Sequence, residues 1–320
     1  LGYSEAAVKL LDKIRKKTKH GADLFFISYH YEQIQKHAES VDPAVVDEAK
    51  KADGKIFDHL DEPPDDFLKV AKAGNSELEY FKHLHGGTFL MGRPKMDSQR
   101  YSDEPVQIEI SVEPFSIVRI QVTNEIYEYF SPDHVNDRKF QDEAADETEL
   151  PRHPVVYVTW YEAMMFCRWA TQILRKREII SHEEIVILPT EAQWEYACKA
   201  GPSKYTRFYS GDDESDLDRV GWFHRNSNGR THPVGGKEPN DFGLYDMHGN
   251  VWEWIRDKWN DSYKGKNTIE EITVATEKND ISAPRSIRGG SWNSYSDYCR
   301  SALRPNWDPV HRSSNAGFRL

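Results

Sequence analysis

The stretch Asn240-Asp241-Phe242-Gly243-Leu244-Tyr245-Asp246-Met247-His248-Gly249-Asn250-Val251-Trp252-Glu253-Trp254 decides how this chain is read. It is crowded with Gly, Asn, Asp and aromatic residues and shows little periodicity of either the helical or the strand kind. The chain after Gly201 shares that texture throughout, so this half is loop-rich. No repeat or low-complexity segment is visible.

Working back from there, three helices are expected before the loop-rich half. Thr190 opens one, in Leu188-Pro189-Thr190-Glu191, that carries Trp194, Tyr196 and Ala197. Thr159 opens another, and Glu162 three residues on completes a capping box. It carries Ala163, Met164, Phe166, Cys167, Trp169 and Ala170. Thr123-Asn124-Glu125 opens the third, with Ile126, Tyr127, Tyr129 and Phe130. Between Gly86 and Val122, short β-like runs alternate with turn signals, at Gly87–Gly92, Val106–Pro114 and Phe115–Val122. Residues 1–84 read as a helical region. Ala7, Val8, Leu11 and Ile14 recur at helical spacing, Asp23–His37 is a second segment, and Asp42–Leu60 is a third with Pro43 as a first-turn proline. Phe67–Leu84 is expected to be a short helix leading into the rest. The domains are thus 1–84, helical, and 85–320, mixed α+β and loop-rich.

Composition removes several function classes. Lys and Arg number 42 against 53 Asp and Glu, a net charge of −11, so a generic phosphate-binding surface and a nucleic-acid partner are not expected. Mean hydropathy is −0.77, and no apolar run approaches the ~18 residues of a spanning helix. Nine Trp within 12% aromatic content are too many for a disordered chain, and three Cys too few for a disulfide scaffold. The chain begins with Leu1 and shows no signal peptide, so targeting is not read from it directly. His20, His30, His37, His59, His83 and His85 lie in or beside the first region. None forms an H-E-x-x-H pair or an H-x3-H-x-E motif.

Seven blocks in a fixed order carry a resemblance. They are Gly86–Gly92, Val122-Thr123-Asn124, His153-Pro154-Val155, Leu188–Ala197, Asn240–Trp254, Arg288-Gly289-Gly290-Ser291-Trp292 and the closing Gly317-Phe318-Arg319. The set resembles the formylglycine-generating-enzyme, or sulfatase-modifying-factor, family over roughly residues 85–320. The resemblance implies that family's variant of the C-type lectin fold.

Oxidase members of the family carry two cysteines in the last segment. Together they bind copper, because Cu(I) favours two thiolates. These members form an aldehyde in C-x-P-x-R peptides. Here Ser294 stands at the first position and Cys299 at the second, so neither copper nor iron is expected and the chain reads as a non-enzyme. The alternative is a degenerate or active oxidoreductase of the formylglycine-generating type. Cys167 and Cys198 fall where secreted vertebrate members have disulfide cysteines, but the partner positions hold Arg304 and Leu320. Two free thiols or a direct Cys167–Cys198 bridge remain. The family's structural calcium maps onto Asp246, Gly249, Val251 and Glu253, mixed side-chain and carbonyl oxygens of the kind hard Ca²⁺ takes.

The segment from about 288 to 320 also resembles the variable proteins of diversity-generating retroelements, of the Treponema surface-lipoprotein type. Among framing residues it sets Ser294, Tyr295, Ser296, Asp297, Tyr298, Leu303, Pro305, Asn306, Trp307, Asp308, Val310, His311, Ser313 and Ser314, with no helix or strand period. Lys, Glu, Gln and Met make up 62 of 320 residues, so about four belong by chance in 293–315, and none is there. Adenine-directed change of AAC codons excludes those four types; Trp307 is the exception to the pattern. The expectation is a display protein that binds an unknown protein or surface ligand through those fourteen positions. By resemblance it would be a monomeric lipoprotein at a bacterial cell surface.

Overall fold

The computed structural model describes residues 43–58, 60, 63–64, 67–68, 70–73, 76–94, 106–137, 148–201, 205–260 and 282–320, with isolated positions between 8 and 35. The helices expected around Ala7–Ile14 and over Asp23–His37 lie outside the described residues apart from those positions. Helix α1, Pro43–Gly54, opens on its proline as expected. Val45, Val46, Ala49 and Ala52 join Val8, Ile27 and Tyr31 in a small separate core, while Ile56 and Phe57 pack into the main one.

The described residues between 70 and 84 form strands, not the expected helix. Strand β1, Val70–Ala73, pairs antiparallel with β2, Ser76–Glu79, and the sequence between them is Gly74-Asn75, a two-residue hairpin signal. Strand β3, Phe81–Leu84, pairs with β6, Phe115–Val118; β4, Gly87–Met91, pairs with β5, Ile108–Val112. Along β4 and β5 the buried residues are Phe89, Met91, Ile110 and Val112, the alternation of a half-buried ribbon.

The three helix starts occur where the threonines stand. Helix α2 is Asn124–Phe130, and the Thr123 hydroxyl accepts from the Ile126 amide. Helix α3, Trp160–Lys176, and helix α4, Glu191–Cys198, both carry full capping boxes, Thr159 with Glu162 and Thr190 with Gln193. A further helix, α5 (Glu214–Val220), lies in the half expected to be loops, capped by Asp213. The second sheet has the order β10-β7-β8-β9. It is built from β7 (Trp252–Lys258), β8 (Arg285–Arg288), β9 (Asn306–Trp307) and β10 (Ala316–Gly317).

Two interactions tie these pieces together. Trp254 donates its indole N–H to Val158 O at 2.9 Å, and Trp160 donates to Ile255 O at 2.9 Å, so β7 and the start of α3 are cross-linked within the main core. Past β10 the chain returns to the first half: the amides of Val122 and Val118 donate to Phe318 O and Leu320 O, both at 2.9 Å. Beneath the second sheet lies a buried charge network. Glu191 accepts from Arg304 at 2.8 and 2.9 Å, from Arg288 at 3.3 Å and from Ser286 at 3.0 Å. Glu195 accepts from Arg288 at 2.5 Å, Lys199 at 2.6 Å and the Gly92 amide at 2.7 Å. Every charge in it is paired, as burial demands.

Candidate functional site

The Arg288–Trp292 block ends β8 in a turn that places two side chains side by side. The Ser291 amide donates to Ser294 Oγ at 3.1 Å, and the two hydroxyls lie 2.8 Å apart. Cys299 beside it is wholly buried, and burial pushes its thiol up to about 12. Gly290, at φ +81°, makes the approach feasible, since a Cβ there would stand 2.5 Å from Cys299 Sγ. Ser294 and Cys299 therefore both pack against the Gly290–Ser291 turn.

His248 braces this turn from below. Its Nδ1 donates to Cys299 O at 2.7 Å and its Nε2 accepts from the Tyr209 amide at 3.1 Å, which fixes the neutral tautomer. Burial pushes its pKa down to about 4. Cys198, Cys167 and Cys299 are all buried and unbridged, so the direct Cys167–Cys198 disulfide is absent. Burial likewise raises the other two thiols, Cys198 to about 12 and Cys167 further.

Above the turn lies an exposed face. Tyr295 is 65% exposed, Tyr298 45% and Val310 59%. The Tyr295 ring sits 4.8 Å from that of His224, whose amide donates to Ser294 O at 2.9 Å. Asp297 pairs with Arg207, and the Ser296 hydroxyl donates to Glu214 at 2.7 Å. Asn293, also exposed, accepts from the Ser291 hydroxyl at 2.8 Å and from the Asn315 amide at 2.9 Å. Asn293, His224 and Arg207 are site neighbours that the sequence did not reveal. The last two stand far back in the chain and carry no local motif.

Several of the fourteen positions prove structural. Leu303, 4% exposed, belongs to the main core, and Ser294, 8% exposed, lies under the face. Trp307 packs edge-on against Trp254 at 5.9 Å and Trp252 at 6.4 Å, with His311 against its other side at 4.7 Å. Asp308 caps its own turn by accepting from the Val310 amide at 3.0 Å. A binding role for Leu303 is corrected on this ground: a core side chain has no surface to offer. Tyr295, Ser296, Asp297, Tyr298, Val310 and His311 remain at or near the surface, while Pro305, Asn306, Ser313 and Ser314 are half-buried.

The four oxygen-bearing residues of the other expected site also come together, wholly buried, around one side chain. Gln121 Nε2 donates to Glu253 Oε1 at 2.9 Å, Val251 O at 3.1 Å, Asp246 O at 3.3 Å and Gly249 O at 3.4 Å. Glu253 is further held by Arg319, at 2.7 Å from both of its oxygens, and by the Trp194 indole at 2.7 Å. Asp246, at φ +55°, turns Oδ2 away to accept the Gly235 amide at 2.7 Å. Burial pushes its carboxyl up to about 6. As for the family's copper, one buried thiol beside a hydroxyl does not fit the two-thiolate ligation Cu(I) favours.

A model of the sulfatase-modifying factor enzyme 1-like domain matches residues 68–320. The chain belongs to the formylglycine-generating, sulfatase-modifying-factor family. Its fold is that family's loop-rich α+β, C-type-lectin-like arrangement. The formylglycine-generating enzyme of Streptomyces coelicolor is 35% identical over 191 residues, 55% of this chain and 54% of that protein. The Bos taurus formylglycine-generating enzyme is 33% identical over 197 residues, 55% of this chain and 46% of that one. The chain thus spans about half the length of the curated relatives it matches. Among solved structures, Treponema denticola variable protein 1 superposes with a TM-score of 0.62 at 27% identity, covering 78% of this chain and 97% of that one. Both halves of the expected resemblance therefore hold. The expectation that the chain is not an enzyme is overturned: relatives at 31–35% identity are named formylglycine-generating enzymes. A serine at position 294 changes one side chain and leaves Cys299 and its bracing histidine in place.

Proposed function

We propose that this chain is an oxidoreductase of the formylglycine-generating type, acting on a protein segment that it receives on the face of Tyr295 and Tyr298. The observation that carries the reading is the Gly290–Ser291 turn, whose Ser291 amide holds Ser294 Oγ and whose Gly290 packs against Cys299 Sγ, next in the chain to two exposed tyrosines. Large aromatics with few rotamers supply binding area at low ordering cost, which suits a face that must hold an extended segment. Cys299 is the thiol of this site. A C-x-P-x-R peptide incubated in air should gain an aldehyde, trapped with hydroxylamine and weighed by mass spectrometry, at a rate that falls to background in Cys299→Ala. Equal yields from wild type and Cys299→Ala would overturn the reading.

A second reading rests on the exposure of Tyr295, Tyr298 and Val310 and on the likeness to the variable protein: the same face displays residues that select a partner. It concerns what is bound, and it is tested by binding. Peptide or partner affinity should fall at least tenfold in Tyr295→Ala/Tyr298→Ala with the melting temperature unmoved; unchanged affinity would remove this face from recognition.

A further inference from the structure

The oxygens of Asp246, Gly249, Val251 and Glu253 converge as they would around a cation, yet a group of the chain itself stands where they point. Gln121 is wholly buried just after β6, and its Nε2 lies 2.9 to 3.4 Å from all four. An amide nitrogen has two hydrogens, so each is shared between acceptors, and a partly positive group faces a ring of partly negative ones. Of the two carboxylates here, Glu253 is met by Arg319, while Asp246 turns its side chain out of the ring and accepts the Gly235 amide with Oδ2. Gln121 Oε1 has no hydrogen-bond partner among the described residues, which fits an amide oriented by its nitrogen alone. Turned over, the amide would set an oxygen against four oxygens, which is repulsive unless a cation lies between.

We infer that the Gln121 amide does in this chain what calcium is expected to do among these oxygens, so that the site is a metal-independent cross-link between the start of the 121–130 segment and the 246–253 loop. One uncharged donor replaces a dication because the ring itself holds a single carboxylate, Glu253, which Arg319 neutralises from outside, the Asp246 carboxylate being turned to the Gly235 amide. Exchanging that donor for an acceptor should therefore create a calcium requirement. In Gln121→Glu, two carboxylates and three carbonyls would face one another with no donor among them, a set hard Ca²⁺ accepts.

The experiment uses terbium, which binds calcium sites and emits when excited through a nearby indole. Trp194, hydrogen-bonded to Glu253 at 2.7 Å, is such an antenna. Wild-type protein should show no calcium-displaceable terbium emission and the same melting temperature in EDTA and in millimolar calcium. Gln121→Glu should show that emission and melt several degrees higher with calcium than without. Gln121→Ala should melt several degrees below wild type in both buffers, because four buried acceptors lose their donor. Terbium emission from wild type, displaced by calcium, would overturn the inference and make Gln121 Oε1 a ligand. An unchanged melt for Gln121→Ala would overturn it as well. Should Gln121→Glu fail to fold in either buffer, the wild-type titration and Gln121→Ala still decide.

Discussion

Ser294 is the residue at which this chain departs from the cysteine pair that the family resemblance leads one to expect, and the step is small. Both positions pack against the Gly290–Ser291 turn, so Ser294→Cys would set a second sulfur near Cys299 without moving the backbone. That variant should bind one Cu(I) at least tenfold more tightly than wild type in competition with a chromogenic chelator; equal affinity would show that the two sulfurs do not converge. Asp257 offers a residue-scale test of electrostatics. Its Oδ2 accepts the Glu191 amide and its Oδ1 has no hydrogen-bond partner among the described residues. Burial pushes its carboxyl up to about 6, against the pull of that amide. A carboxyl raised on folding favours the native state when protonated, so its contribution is full below a pH of about 4 and is lost as pH rises through about 6. Asp257→Asn keeps an acceptor and removes the ionisation. Its melting curve should coincide with wild type near pH 4 and lie several degrees higher at pH 7.5. Curves that stay parallel across that range would disprove the assignment.

At the scale of elements, the sequence was most legible where the signal is local. Thr123, Thr159 and Thr190 each begin a helix because a hydroxyl can accept a first-turn amide wherever the rest of the chain goes. Thr159→Ala should accordingly cost about 1 kcal/mol in denaturant unfolding, and a cost under ~0.3 would mean that the capping box adds nothing here. Over Phe67–Leu84 the expected helix gives way to strands, and Leu68, Tyr80, Phe81 and Leu84 show no clean strand alternation. Their strands are set by pairing with Phe115–Val118 and by the β1–β2 pairing, of which only the second is local. Helix α5 escaped notice for a related reason: seven residues capped by Asp213 carry too few apolar positions to show a period. In the candidate site, Ser294 and Cys299 were readable from the spacing to a motif. His224, Arg207 and Gln121 were not, since what places them is contact with residues 70 to 130 positions away.

Over the whole molecule, rigidity and exposure are divided between neighbouring residues of one segment. Arg288 and Arg304 are wholly buried in the network around Glu191 and Glu195, whereas Tyr295 and Tyr298 between them face solvent. Glu191→Gln leaves guanidinium charge uncompensated in the interior and should destabilise by about 3–5 kcal/mol, with Phe318→Ala in the same range through the cavity it opens. Tyr295→Ala should stay within about 0.5 kcal/mol of wild type. If all three variants unfolded at the same denaturant concentration, the distinction between frame and face would be wrong.

The hydrogen bonds from Val118 and Val122 to Leu320 and Phe318 impose a timetable. Those partners are separated by about two hundred positions, and a ribosome adds ~5–20 residues each second, so the apolar 115–122 segment leaves the exit tunnel roughly 10–40 s before the residues that will cover it. For that interval it is a natural client for a holding chaperone. Stalled nascent chains should pass abruptly from protease-sensitive to protease-resistant only once Phe318–Leu320 has cleared the tunnel, and not by stages as each helix emerges.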